Sequence, residues 1–197
     1  MTIKKISLFI VLFLLTACGT VEKSKSSLRD SNRVSDMNVI LKTENRDILK
    51  ALNLARTEVR DCHDGLGLVG PSKALKWNDN LYASAYEHGN DLAQSNTFSH
   101  MGSGTQYDIT GVNNGNRKSQ FFERIESNGY INFYTLGENI AGGQKSIDEV
   151  MKAWLASPAH CTNIMNDSFE EVGIAVVTKK DSTFGIYWTQ NFGTKRK

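Results

Sequence analysis

The 197 residues contain none of the common catalytic signatures. There is no H-E-x-x-H pair to hold zinc on one helix, no G-x-S-x-G nucleophile elbow and no G-x-x-x-x-G-K-[ST] phosphate loop. Zinc-peptidase, serine-hydrolase and P-loop chemistry therefore have no local foothold. An excess of one charge is missing too: 23 basic residues face 21 acidic ones, a formal net charge of +2. Nucleic-acid binding needs clustered Lys and Arg, and the terminal "TKRK" is a short solvated tail, so no nucleic acid is expected as a partner. No segment repeats. Cysteine is scarce, three in all. The apolar run "ISLFIVLFLL" near the start is too short to cross a bilayer comfortably.

That run follows a basic start, Lys4 and Lys5, and leads at once into "TAC", the order of a secretory signal with its cleavage site. The tetrad Leu15-Thr16-Ala17-Cys18 resembles a bacterial lipobox. The resemblance implies that residues 1–17 are removed and that Cys18 is lipidated and becomes the new N-terminus. The chain would then be exported and anchored to a membrane, the outer one in a Gram-negative cell, since Gly19 is not the retention aspartate. Residues 18–38 have no aromatic and few apolar side chains, and read as a flexible tether reaching roughly 25 Å on average. Residues 39–197 suit one domain. Loss of the signal removes two lysines and no acid, which leaves 21 basic and 21 acidic side chains.

Two cysteines, Cys62 and Cys161, remain in that domain. An even pair in an exported chain is most simply a disulfide, and closing a loop of about a hundred residues contributes roughly 4–5 kcal/mol through chain entropy. Two free thiols, or a nucleophilic Cys161 beside His160, are the alternatives. If 159–165 is a short helix, however, adjacent residues point about 100° apart and rarely share a hydrogen bond. His160 and Cys161 are then expected to serve opposite sides of the helix, with Cys161 turned back toward Cys62.

Helical spacing recurs through the first three-quarters of the domain. "ENRDILKALNLARTEVR" sets Ile48, Leu52, Ala55 and Val59 on one stripe, and "DNLYASAYEHGNDLAQSN" does the same with Leu81, Ala85, His88 and Leu92. His88, sharing a buried stripe, reads as a core or cleft-edge histidine rather than a ligand. "SQFFERIESNG" is a shorter helix stopped at Asn128-Gly129. "SIDEVMKAWLAS" opens with Ser146 and Glu149 at capping-box spacing and faces Ile147, Val150, Met151 and Trp154 inward. Then the pattern changes: "EVGIAVVT" and "FGIYWTQNF" read as a β-hairpin. Trp77, Trp154 and Trp188 are expected to pack rather than bind. Helices first and a hairpin last predict an α+β domain with helices on an antiparallel sheet. Residues 102–118, "GSGTQYDITGVNNGNRK", make a long Gly/Asn-rich loop just after His100, either a lid or a floppy insertion.

Four segments, "NTFSH", "LGENIA", "WLASPAHCTNIM" and "YWTQNFG", stand in an order that resembles the bacterial branch of the CAP superfamily. Its members are the SCP-like cysteine-rich secretory, antigen-5 and pathogenesis-related proteins. The likeness covers about residues 44–193 and implies an α–β–α sandwich with a cleft of two histidines and two glutamates. His100 matches the first histidine, Glu138 the first glutamate and His160 the second histidine. The second glutamate, three residues past the tryptophan in eukaryotic members, is here Ser157. Three candidate ligands are left for zinc or another divalent cation, with Glu138 the candidate catalytic base; their spacing alone forms no local motif. Asn139 is a weaker candidate for holding the cleft backbone. The resemblance implies diverse biology, lipid binding by several members and no established common catalysis. The expected function is therefore a membrane-anchored binding module for a lipid, cell-wall or protein ligand. The alternative is a metal-assisted hydrolase or peptidase using His100, Glu138 and His160.

Overall fold

The structure, a computed structural model, describes residues 45–197; the signal, Cys18 and the tether lie outside the described residues. Helix α1 runs over 45–56 and buries Ile48 and Leu52 as predicted. It stops before Val59, which is 55% exposed rather than part of the stripe. The reason is Arg56. Its carbonyl accepts from Ser72 N–H at 2.8 Å, and its buried guanidinium donates to the carbonyls of Lys73, Ile164 and Asn166, so the chain leaves the helix there.

Strands β1 (Arg60–Asp61) and β2 (Leu68–Val69) pair as a small hairpin, followed by β3 (Lys76–Trp77). Three helices come next: α2 (Asp79–Ser95), α3 (Ile109–Asn113) and α4 (Phe121–Ser127). The remainder is β4 (Phe133–Gly142), α5 (Ile147–Leu155), α6 (Pro158–Met165), β5 (Glu171–Thr178) and β6 (Ile186–Lys195). All four residues of the α2 stripe, His88 included, are 0% exposed. At α5 the Ser146 hydroxyl accepts from Glu149 N–H, but the Glu149 carboxylate turns to Lys145 N–H, so only half of the expected capping box forms.

The main sheet has the order β3-β5-β6-β4. The predicted β5–β6 hairpin and the β4–β6 pair are antiparallel, but β3 joins β5 in parallel, which makes the sheet mixed. Alternation along the strands assigns the two faces. Val172, Ile174, Trp188 and Phe192 pack with Leu52 of α1, Val150 and Trp154 of α5 and Ile164 of α6. Val177, Tyr187 and Ile140 pack with Leu92 of α2 on the other side. The result is an α–β–α sandwich. Gly173 sets the spacing of α2, since a Cβ there would lie 2.0 Å from the backbone nitrogen of Tyr82. On the open side of β4, Trp154 Nε1–H donates to the Ile140 carbonyl and Asn163 Nδ2–H to that of Glu138, which blocks pairing with another strand.

The long loop 102–118 is pinned rather than floppy. Asp108 accepts the N–H groups of Gly104, Ser119 and Gly111, and Asp91 of α2 accepts both the N–H and the hydroxyl of Ser103. Burial opposes ionisation of Asp108, but Ser119 and these N–H donors outweigh it and hold the carboxyl below its usual range. Helix α3 is part of this strap.

Candidate functional site

The residues singled out in sequence come from three parts of the sandwich. Glu138 stands on β4 opposite Asn191 of β6, with both side chains toward α2. His100 follows α2, whose C-cap Asn96 has a left-handed backbone (φ 56°) that turns the chain back over the sheet. His160 is on α6, in the opposite layer. The two histidines thus reach the edge of β4 from the two sides of the sheet.

Glu138 is buried and fully engaged. Its Oε1 accepts from His100 Nδ1–H at 2.9 Å, and its Oε2 accepts from Arg124 Nη2–H of α4 at 3.0 Å. His88 Nε2 lies 3.9 Å from Oε1. In the amide orientation that satisfies both ends, Asn191 also donates to Oε2 at 3.2 Å and accepts from the Ser84 hydroxyl. Burial opposes ionisation, but His88, the His100 hydrogen bond and Arg124 outweigh it and hold the carboxyl below the usual range. Arg124 itself is 1% exposed, and it also donates to the carbonyls of His100 and Ser119. One buried cation therefore balances the carboxylate and fixes the histidine loop.

His100 has half its side chain in solvent. With Nδ1 turned to Glu138, Nε2 is the ring nitrogen left for another partner. The His160 carbonyl accepts from Asn139 Nδ2–H at 3.2 Å, and Asn139 in turn accepts from Asn163 and donates to Gln190. The His160 side chain is half-buried and has no hydrogen-bond partner among the described residues. Burial first, and the neighbouring His100 second, push its imidazole below the ordinary value. Ser157 caps α6 through its carbonyl only, accepting from Cys161 N–H, and its side chain brings no carboxylate. Cys161 points the other way and is bonded to Cys62, with 5.4 Å between Cα atoms and both residues buried. It is not a nucleophile paired with His160.

Among the described residues, no three His, Cys, Asp or Glu side chains converge closely enough to hold a metal ion. His100 and Glu138 meet, but both oxygens of Glu138 are turned to protein donors. A three-ligand ion site built from His100, Glu138 and His160 is therefore not assembled. Sequence reasoning missed Arg124 and Asn191, although Arg124 carries a visible signal. It shares a helical face with Phe121, Ile125 and Asn128, a charge within an otherwise inward stripe.

Residues 53–192 match the sequence profile of CAP, the cysteine-rich secretory protein family. The chain belongs to this family. The uncharacterised protein YkwD of Bacillus subtilis is 34% identical over 122 residues, which cover 61% of this chain and 39% of YkwD. The chain thus spans well under half of that relative. Its fold is similar to an extracellular SCP-domain protein of Bacillus anthracis, with a TM-score of 0.56, 22% identity, and coverage of 78% of this chain and 41% of that one. It is likewise similar to an outer surface protein of Borrelia burgdorferi, with a TM-score of 0.54, 22% identity, and coverage of 77% and 96%. At these identities the two structures establish the shared fold. Among the described residues no helix is long and apolar enough to cross a membrane.

Within this CAP domain, His88 gives a pH signature. Its Nε2 sits 2.9 Å from the Ser99 carbonyl, while Nδ1 is buried with no partner. Burial pushes the imidazole down from 6.5 to about 4. Between those values the unfolded chain binds the proton and the folded chain does not, so stability falls as the pH drops. The full loss is roughly 3 kcal/mol. Urea unfolding from pH 7 to 4 checks this: His88→Asn is expected to flatten the slope by about one proton. A slope unchanged in that variant would mean that His88 titrates normally.

Proposed function

We propose that the protein is a lipid-anchored, extracytoplasmic binding module whose His100/His160 cleft takes a lipid, cell-wall or protein ligand. The observation that carries this reading is the commitment of Glu138. A general base needs a carboxylate free to take a proton from water, whereas this one is buried, ionised and held by Arg124 and His100. What the cleft offers a ligand is imidazole nitrogen at its surface. The relatives named as extracellular and outer surface proteins support an envelope location.

One observation favours a metal nonetheless. A histidine that donates Nδ1–H to a carboxylate presents Nε2 in the orientation common for metal ligation. His100 and His160 would then hold zinc as two ligands without Glu138, and the ion would supply Lewis acidity.

Both readings are tested on the lipid-free chain and its His100→Ala/His160→Ala variant. Co-sedimentation with purified cell-wall sacculi and with phosphatidylglycerol vesicles is expected to weaken at least about tenfold in the variant, which still unfolds cooperatively although its melting temperature falls with the loss of the His100–Glu138 hydrogen bond. Equal binding by both proteins would refute the cleft reading. Dialysis against zinc is expected to leave no stoichiometric ion. One retained equivalent, lost in the variant, would revive the hydrolase alternative.

A further inference from the structure

Four of the five most exposed aliphatic side chains among the described residues fall in one short stretch: Leu66 at 79%, Leu68 at 74%, Leu54 at 65% and Val59 at 55%. Single exposed leucines are ordinary; of these four, Leu66 lines a cavity beside α6, whereas Leu54 lines a separate groove against α5. Leu66 and Leu68 stand on the β1–β2 finger, whose strands have two residues each and no core of their own. The finger is nevertheless held firmly against α6. Cys62 is bonded to Cys161, and Thr162 donates its hydroxyl to Asp64 at 2.6 Å. Gly70, at φ +91°, lets the returning chain press so close that a Cβ would come within 2.7 Å of both the Glu58 carbonyl and the Met165 side chain.

Between the finger and α6 lies a cavity of about 450 Å³. Leu66, Val69, Pro71 and Met165 give it an apolar wall, and Asp64 and Asp167 stand among its lining. The surroundings are acidic. Four acids, Glu58, Asp61, Asp64 and Asp167, stand near three cations: Lys73, paired with Asp167 at 3.1 Å, the buried Arg56, which also acts on Asp167, and Arg60, which is turned to the Ala55 carbonyl. We infer that the finger and its cavity form a second docking surface, for a protein segment that presents an aliphatic or aromatic side chain beside a Lys or Arg. The apolar chain enters the cavity and the cation meets Asp64, whose two carboxylate oxygens each accept one internal hydrogen bond and keep a further lone pair. A bilayer also takes exposed leucines, but anionic headgroups are repelled by this rim, and a concave pocket suits one inserted side chain better than a flat sheet of lipid. Rigid presentation lowers the ordering cost of docking.

The test uses a phage-displayed library of random heptapeptides, panned on the lipid-free chain and counter-selected on Leu66→Asp. Leu66 is exposed enough that this variant keeps its fold, which an unchanged melting temperature verifies. Enriched peptides are expected to place Lys or Arg next to Leu, Ile or Phe. A selected peptide is expected to lose at least about tenfold in affinity with Leu66→Asp and with Asp64→Lys, and to keep its affinity for His100→Ala/His160→Ala. No enrichment, or peptides that bind both finger variants as well as the parent, would overturn the inference. So would binding of the parent to phosphatidylglycerol/phosphatidylethanolamine vesicles that Leu66→Asp abolishes, since that outcome makes the finger a membrane contact.

Discussion

Glu138→Gln is expected to lower the unfolding free energy by about 3–5 kcal/mol in urea at pH 7, the usual cost of removing one partner of a buried ion pair. The reason is Arg124, buried with its guanidinium 3.0 Å from the Glu138 carboxylate. Without that carboxylate Arg124 keeps its neutral acceptors, the His100 and Ser119 carbonyls, but loses the negative charge that balances it in the interior. Arg124→Gln is expected to cost a similar amount from the opposite side, because Glu138 then loses its cation. The double variant is expected to cost much less than the two single losses together, since neither charge is left alone, and that shortfall measures the coupling. A catalytic base behaves differently: its amide variant loses activity and keeps its stability. A Glu138→Gln protein within about 1 kcal/mol of the parent would therefore contradict the buried pair and return Glu138 to the role of candidate base.

Legibility in the sequence divides along physical lines. The α2 stripe was readable because a helix that lies flat on a sheet must bury every position at its spacing, and Leu81, Ala85, His88 and Leu92 all do. The end of α1 was not, because Val59 continues the spacing while Arg56 ends the helix through carbonyls more than a hundred residues away. Strand β4 went unread for a related reason. Its core, Gly137–Ala141, is buried on both faces, yet carries Glu138 and Asn139, whose partners Arg124, Asn191 and Gln190 lie elsewhere in the chain. A polar strand is intelligible only once those partners are in view. His100 and Glu138 are 38 positions apart, so their contact was implied by family resemblance and by no spacing rule. The strap at 102–118 looked loose from its Gly and Asn content. One acid, Asp108, gives its backbone N–H groups a common acceptor, and nothing in the composition marks that acid out from the others.

Replacing both cysteines, as Cys62→Ala/Cys161→Ala, is expected to cost about 4–5 kcal/mol, a large share of a single domain's stability. The bridge spans 99 positions, so its loss frees most of the unfolded domain from a constraint. The native structure is expected to respond unevenly. The β1–β2 finger has two short strands and leans on α6 through the bridge and the Thr162–Asp64 hydrogen bond, so amide exchange at residues 60–69 is expected to rise beyond the global change. Helix α6 keeps other anchors: Asn139 to the His160 carbonyl, Asn163 to that of Glu138, and Arg56 to that of Ile164. Ligand binding at the His100/His160 cleft is therefore expected to survive in the folded fraction, while peptide binding at the finger weakens. Loss of both together would mean that α6 depends on the bridge for its position and that the two surfaces are one mechanical unit. A cost below about 1 kcal/mol would show that packing alone places the finger and that the unfolded chain is already compact enough to make the constraint redundant.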